Sequence, residues 1–313
     1  MRFDLHAALA ELQACPKDGQ LPEGLASGFV DACTSWSTRG NESTHRNDKN
    51  NARRCYMEHV SRNQLKIDII ETLGLAGSFV ELPDPNWIAF EIDFTLETPW
   101  YSKDDRPFHV LDNPVRKDRV FGVPFMAAAS WKGLLRWASR MQAGLQTHLQ
   151  EHNGSLQEWN DPPWITHLFG NEKKEDEHFQ SGALAFRPTW FSKIGFEVIN
   201  PHSRKTRAGT MPIYYEVVPA CTKGQLSLLY APLPGAADRD KVEPSDALGK
   251  LLCATDALLE AYGISAKRTA GWGTAKITAW KAWGKDTPTA QPIESSSGDG
   301  LLKQLFPSPG NTP

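Results

Sequence analysis

The chain has 313 residues, of which 40% are hydrophobic, and a formal net charge of −3, so it suits one or two globular domains and not a general nucleic-acid binder. The five cysteines form no C-x-x-C pair, which speaks against a disulfide framework and a zinc knuckle. Since no apolar run is long enough to cross a membrane and no secretory pattern is present, we expect a cytoplasmic protein without a membrane partner.

Residues 1–85 are predicted to form a helical N-terminal extension. Apolar residues have helical spacing in "RFDLHAALAELQA" and again over Cys55–Gly77, with a polar, aperiodic stretch between the two. The segment "ELPDPN" then stops any helix, because two prolines lie close together in it.

Residues 86–284 are predicted to form an α+β domain. Apolar and polar residues alternate in "WIAFEIDFTLE", as in a half-buried strand. A long charged loop follows, and Met126–Leu145 has the spacing of an amphipathic helix. Further on, "GALAFRP" is predicted to be a short strand and "FEVIN" a strand that runs into a basic loop.

The second half of this domain again combines predicted strands with a helix. Two strand patterns in "IYYEVVPACTKGQLSLLYAPL" are joined by a turn predicted at Lys223-Gly224. A helix capped by Ser245 or Asp246 and stopped by Gly263 follows, and "TAKITAWKAW" is the last strand. Residues 285–313 are rich in Pro, Ser and Gly and are predicted to be a flexible C-terminal tail.

The order strand, helix, strand, strand, helix, strand predicts a ferredoxin-like (RRM-like, βαββαβ) fold with long insertions. Sheets of this fold leave one face free of helices, and RNA-recognition modules use that face for stacking and phosphate contacts. Such a fold therefore gives an RNA-binding function a structural basis.

The charge is unevenly distributed along the chain. Residues Pro114–Arg140 contain six cations and one acid, and Arg187–Gly209 and Gly263–Lys285 have surpluses of four and five positive charges. Segregation of this kind predicts local basic surfaces on an acidic body. The alternative is that the three basic windows scatter over the surface and share no role.

The loop "GISAKRTAGWGTAKI" combines two cations, an aromatic residue and two glycines, which are Lys267, Arg268, Trp272, Gly271 and Gly273. Glycines permit positive φ and close approach of another backbone, and successive amides in such a turn can hold an anion. The tryptophan would offer a stacking plane for a base. Alternatively, the loop is a tight turn whose tryptophan packs on the core.

This loop resembles the glycine-rich loop near the C-terminus of the RAMP superfamily, the RNA-binding subunits of CRISPR effector complexes, and the similarity covers most of the chain. In "VFGVPFMAAASWKGLLRWASR", Ser130, Lys132, Gly133 and Arg136 match the family pattern Pro-x-Ile-Pro-Gly-Ser-Ser-x-Lys-Gly-x-x-Arg, although "MAAA" replaces its Pro-Gly. The N-terminal extension, "NPH" and "ISAKRTAGWG" are together most similar to the terminal small subunit of Cmr-type (type III-B) complexes.

The resemblance implies a guide-RNA-binding subunit of a type III CRISPR effector that acts in antiviral defence. Its implied partners are guide CRISPR RNA, target RNA and other RAMP subunits. The RNA-binding residues that we predict come from three segments, and they are Ser130, Lys132, Gly133, Arg136 and Arg140; His202, Arg204, Lys205 and Arg207; and Lys267, Arg268, Gly271, Trp272 and Gly273.

Spacing supports the first of these segments. Lys132 and Arg136 are four residues apart and share one face of the predicted helix, which Arg140 extends, near a helix N-terminus that favours phosphate. Alternatively, Lys132 simply solvates the helix surface, and Arg136 pairs with an acid such as Glu91.

Asp112 is a candidate catalytic residue. It begins "DNPVRKD", which resembles the pattern Asp-x-Pro-Val-x-x-Asp of type III backbone subunits that cleave target RNA with a metal ion. No cofactor is predicted otherwise, and Mg²⁺ is implied only if Asp112 is catalytic, because one carboxylate is a weak magnesium site by itself. The alternative is that Asp112 caps a turn, since Asp-Asn-Pro favours turns.

Two histidines complete the candidates. His109 and His202 lie in loops, where a histidine can act as acid or base in a stand-alone RNase that processes guide RNA. Each can equally be a neutral, hydrogen-bonding loop residue. The sequence thus leaves three functions open: a structural RNA-binding subunit, a metal-dependent endoribonuclease subunit and a processing RNase.

Overall fold

The structure is a computed structural model that describes residues 53–54, 56–58, 60–61, 65, 67–75, 82–105, 109–171, 179–201, 209, 212–284 and 291–307. The strands within these residues are β1 (Ile88–Leu96), β2 (Phe125–Met126), β3 (Leu184–Phe186), β4 (Thr189–Trp190), β5 (Gly195–Ile199), β6 (Ile213–Val217), β7 (Lys223–Tyr230), β8 (Ala275–Trp283) and β9 (Ile293–Ser295). The α-helices are α1 (Asp68–Thr72), α2 (Ala128–Gln142), α3 (Leu145–Glu151), α4 (Pro163–Phe169), α5 (Ala236–Asp240), α6 (Pro244–Ala257) and α7 (Gly298–Leu305).

Five strands form an antiparallel sheet in the order β3-β7-β1-β8-β9. Without β9, this arrangement and the helices α2 and α6 between the strands give the predicted ferredoxin-like fold, which is confirmed. The strand β1 lies at the centre and is more deeply buried than predicted. Its expected polar face includes Ala89 at 0% and Glu91 at 2% exposure, because other parts of the chain cover that face.

The helices α2 and α6 pack on one face of the sheet and close the main core. Trp131 and Leu135 of α2 and Leu251 of α6 are fully buried in the same hydrophobic cluster as Phe90 of β1. Burial of each such side chain contributes about 1.5–3 kcal/mol. The helix α2 lies within the range Met126–Leu145, which was predicted from the helical spacing of its apolar residues.

The boundaries of α6 differ in part from the prediction. Its N-cap is Glu243, and neither Ser245 nor Asp246 has that position, because Pro244 occupies the first helical turn where its fixed φ fits. The helix continues into a π-helical turn at Leu258–Tyr262, and Gly263 ends it at φ +78° as predicted.

The strands β5 and β6 form a separate antiparallel hairpin. The turn predicted at Lys223-Gly224 is wrong, because both residues belong to β7. The chain instead turns at residues 220–221, where the backbone N–H of Cys221 bonds to the carbonyl of Leu96 (2.7 Å).

Part of the predicted flexible tail is ordered. Within residues 291–307, β9 pairs with β8, and α7 buries Leu301 completely in the cluster that contains Leu252 and Trp280. Composition alone missed this element because the apolar side of "GLLKQLF" finds its partner surface only in the folded domain.

Candidate nucleic-acid interface

Two of the three basic windows meet at a cavity of about 350 Å³. One wall comes from the start of α2 and the loop before it, and the other from the glycine-rich loop. The lining residues are Trp100, Ser102, Arg116, Phe125, Met126, Ala127, Ser130, Gly133, Leu134, Ile264, Ser265, Ala266 and Arg268. The predicted residues Ser130, Gly133 and Arg268, although far apart in sequence, therefore share one site.

Both cations of this cavity lie on aromatic rings. The guanidinium carbon of Arg268 is 4.5 Å from the ring centroid of Trp137, and that of Arg116 is 6.0 Å from the ring of Phe125. Such contacts hold an arginine in place without neutralising its charge. The Nη1 atom of Arg268 is also buried and has no hydrogen-bond partner among the described residues.

The start of α2 adds a positive end to the same cavity. The helix begins at Ala128, its N-cap Ala127 offers no side-chain acceptor, and no acid lies in its first turn. The first backbone N–H groups of a helix carry a partial positive charge, and Ser130 in the first turn of α2 lines the cavity. Guanidinium groups beside a helix N-terminus are suited to a phosphate.

Arg136 and Arg140 lie outside the lining of this cavity. Both bind the carboxylate of Asp161, with shortest distances of 2.6 Å each, and the indole N–H of Trp159 donates to it as well (2.9 Å). Burial alone would raise the pKa of Asp161, but the hydrogen bonds from Arg140 and Arg136 outweigh this effect and lower it. The expected acid partner of Arg136 is thus Asp161 and not Glu91, and both arginines have a structural role.

Lys132 is half-buried on α2 and also lies outside the lining of the cavity. Its partial burial lowers the pKa of its ammonium group, and the charge of Arg136 adds to this effect. An RNA contact by Lys132 stays a prediction.

The glycine-rich loop folds back on itself through a close backbone approach. The N–H of Ile264 donates to the carbonyl of Gly273 (2.9 Å), and a Cβ at Gly273 would overlap the backbone nitrogen of Ser265. Trp272 packs edge-on against Tyr215 (5.6 Å between centroids) and Tyr101 (6.5 Å). The core-packing alternative therefore describes Trp272 better than a free stacking plane does, although the ring is only half-buried.

The β5–β6 hairpin contacts the glycine-rich loop through Tyr215. Lys267 of the glycine-rich loop places its Nζ 5.0 Å from the ring centroid of Tyr215 in β6. His202, Arg204, Lys205 and Arg207 themselves lie outside the described residues.

Asp112 has an exposed side chain (73%) that forms an ion pair with Arg53 of the N-terminal segment (2.7 Å). Arg53 also donates to the carbonyl of Val110 (3.0 Å), so one guanidinium holds both ends of this short stretch. In the described part of the chain, no group of three or more His, Cys, Asp or Glu residues is arranged to bind a metal ion. A magnesium role for Asp112 would thus depend on oxygens of the RNA.

His109 is not placed to contact RNA. Its side chain is 2% exposed, with Nδ1 accepting from the N–H of Leu111 (3.0 Å) and Nε2 3.9 Å from a carboxylate oxygen of Glu216. The ring of Tyr56 lies edge-on at 5.4 Å. The expectation of an acid or base role does not fit this buried position, whereas the hydrogen-bonding alternative does.

The helix-free face of the sheet has its charged groups already paired at the centre. Gln225 donates to the carboxylates of Glu91 and Asp93 (3.3 and 2.8 Å), and Lys281 forms an ion pair with Asp93 (2.7 Å). The N-terminal segment also covers this face, since Leu82 packs on the cluster that contains Trp283. This finding differs from the expectation drawn from RNA-recognition modules, and it moves the candidate site to the loops at one end of the sheet.

Sequence reasoning missed four residues that shape this region. Arg116 lies in a basic window but was not singled out, and Asp161, Trp137 and Tyr215 carried no motif. The usable signals were the basic window around Arg116 and the aromatic residues, because a cation can stack on a nearby ring.

None of the helices in the described ranges has the length and apolar character needed to cross a membrane.

Similar solved structures include a type III-B Cmr-beta complex bound to cognate target RNA (14% identity, TM-score 0.47, 78% of both chains covered). A Csm3-Csm4 subcomplex of the type III-A CRISPR-Cas interference complex is similar at 17% identity and TM-score 0.41, over 72% of this chain and 97% of the other. A CRISPR RNA-guided surveillance complex is similar at 14% identity and a TM-score of 0.44, over 72% of this chain and 78% of the other.

No curated protein matches the chain. At the identities and TM-scores of the solved structures, family membership depends on the family model alone. The model of the RAMP superfamily matches residues 93–276, more than half of the chain, and this range includes every residue that lines the cavity. The chain therefore belongs to the RAMP superfamily.

Proposed function

We propose that this chain is a guide-RNA-binding subunit of a type III CRISPR effector complex, with target RNA and other RAMP subunits as further partners. The observation that carries the proposal is the cavity in which Arg116 and Arg268, each held on an aromatic ring, lie beside the start of α2. Guanidinium groups fixed in this way bind phosphates with little ordering cost. Membership of the RAMP superfamily supports the same function.

The cover of the sheet face favours one route for the RNA. Because Leu82 packs on this face, and Glu91 and Asp93 at its centre are already hydrogen-bonded to Gln225, we expect the strand to follow the loops around the cavity. Base stacking on the sheet face is not part of this proposal.

The test measures binding of a fluorescein-labelled single-stranded RNA to the full-length chain over a series of salt concentrations. Arg116→Ala and Arg268→Ala should each weaken binding and lower the salt slope by about one phosphate contact. Arg136→Ala is the matched control, because its guanidinium binds Asp161 outside the cavity. It should lower the free energy of unfolding and leave the salt slope unchanged.

The proposal fails if the double variant Arg116→Ala/Arg268→Ala binds RNA as tightly as the wild type does. A second experiment is co-purification from cells, which identifies the attached RNA and proteins. It distinguishes an effector subunit from a general RNA binder.

A second function, metal-dependent cleavage of target RNA, is favoured by the exposure of Asp112 on a fixed loop. The N–H of Glu216 donates to the carbonyl of Asn113 (3.0 Å), and the N–H of Val115 donates to the Glu216 carboxylate (2.9 Å). With Mg²⁺ present, Asp112→Ala in the assembled complex should abolish cutting at the sites that this subunit serves, whereas Asp105→Ala, an equally exposed acid, should not. Normal cutting at every site would exclude this role.

A further inference from the structure

Lys267 of the glycine-rich loop is held in place by its neighbours. Its Nζ lies 5.0 Å from the ring centroid of Tyr215, and its backbone N–H donates to Oγ of Ser265 (3.2 Å). The backbone carbonyl of Lys267 accepts from the N–H of Trp272 (3.3 Å). Both the main chain and the ammonium group of Lys267 therefore have defined positions.

Tyr215 is itself fixed by two other rings. It is 7% exposed and makes edge-on contacts with Tyr101 (5.1 Å, 86°) and Trp272 (5.6 Å, 87°). Since Tyr215 belongs to β6, its ring joins the β5–β6 hairpin to the glycine-rich loop. Tyr101 is in turn bound to the glycine-rich loop, because Oγ of Ser265 accepts a hydrogen bond from the N–H of Tyr101 (3.0 Å).

We propose that Tyr215 is a positioning residue, which holds the ammonium group of Lys267 ready for an RNA phosphate and makes the hairpin and the glycine-rich loop one binding unit. The inference rests on the proposed function and extends it to a residue that makes no phosphate contact itself. A free lysine loses much rotamer freedom when it binds a phosphate, whereas a lysine that a ring already locates loses less. The ring contributes through its face, so a phenylalanine should serve as well as the tyrosine does.

The first experiment compares Tyr215→Leu, Tyr215→Phe, Lys267→Ala and the double variant Tyr215→Leu/Lys267→Ala in the same fluorescence assay. Tyr215→Leu should weaken RNA binding roughly two- to tenfold, the range expected for ordering one long side chain. Tyr215→Phe should bind as the wild type does, and the double variant should bind no more weakly than Lys267→Ala. Additive losses, or an equal loss in Tyr215→Phe, would overturn the proposal.

The second experiment needs no RNA and shows which proposal has failed. In the free full-length protein with labelled lysine, the ε-methylene resonance of Lys267 should be shifted upfield by the ring of Tyr215. The shift should persist in Tyr215→Phe and disappear in Tyr215→Leu. An ordinary lysine shift in the wild type refutes the positioning role even if Tyr215→Leu does not fold. A shifted resonance in a protein that binds no RNA refutes the proposed function instead.

Discussion

Glu216 shows how one buried charge organises a loop. Its side chain is 0% exposed on β6, where it accepts hydrogen bonds from Lys117 Nζ (2.5 Å), from the N–H of Val115 (2.9 Å) and from the hydroxyl of Tyr56. Burial by itself would raise the pKa of Glu216, but Lys117 and its other neighbours outweigh that effect and hold it below the ordinary value of 4.5. This carboxylate thereby joins the N-terminal segment to the loop that carries Asp112.

Glu216→Gln should lower the free energy of unfolding at neutral pH by about 3–5 kcal/mol, because it leaves the ammonium of Lys117 buried without a counter-charge. The folded pKa of Glu216 is lowered, so its stabilisation is complete above the unfolded value of 4.5 and is lost as the pH falls through the folded value. The difference between variant and wild type in denaturant unfolding should therefore shrink on acidification below about pH 4.5.

Asp299→Asn is the control for this prediction, since its ion pair with Lys303 is exposed on both sides. It should change stability by less than about 1 kcal/mol at any pH. A Glu216→Gln effect as small as that of the control, or one that does not vary with pH, would contradict the assigned ion pair.

At the scale of elements, the glycine-rich loop is defined by backbone contact. Gly271 and Gly273 both have positive φ, +78° and +91°, but their surroundings differ. A Cβ at Gly271 would meet no atom within 4 Å, whereas one at Gly273 would overlap Ser265. The sequence pattern indicated that glycines were needed here, but the pattern alone did not show which glycine is packed against another segment.

Gly273→Ala should lower the free energy of unfolding by more than about 3 kcal/mol, because backbone strain and steric overlap act together. Gly271→Ala, the matched control, should lose only about 1 kcal/mol through its left-handed conformation. Chemical denaturation of both variants measures the difference. Equal losses would show that the two segments are not in contact in solution.

At the scale of the whole molecule, segments from both ends of the described chain close the sheet. Leu82 packs on the helix-free face, and β9 with α7 extends the sheet at its β8 edge. These additions are one reason why we propose an RNA path along the loops at one end of the domain. They also replace part of the predicted flexible tail with an ordered element.

Leu301→Ala should lower the free energy of unfolding by about 2–5 kcal/mol, as large-to-small changes in a core do. Lys303→Ala on the same helix is the control, since its side chain is 74% exposed, and it should stay within about 0.5 kcal/mol of the wild type. If Leu301→Ala is as stable as the wild type in thermal or chemical unfolding, the tail is flexible in solution and the packing of α7 is wrong.

The sequence by itself determined the main strands and helices of the domain, because their signals are local. Alternation in β1, helical spacing in α2, the stop at Gly263 and the order βαββαβ all depend on neighbours a few residues apart. The family resemblance came from the same short segments, and it led to Ser130, Gly133 and Arg268.

Only the tertiary structure decided which of these residues work together. Arg136 turned out to bind Asp161, Lys267 to lie on Tyr215, and Arg116 to share a cavity with Arg268. Each of these relations joins residues 25 or more positions apart, for instance the 25 between Arg136 and Asp161. Charge and ring contacts at such separations depend on how the helices and loops pack, and no local pattern specifies that packing.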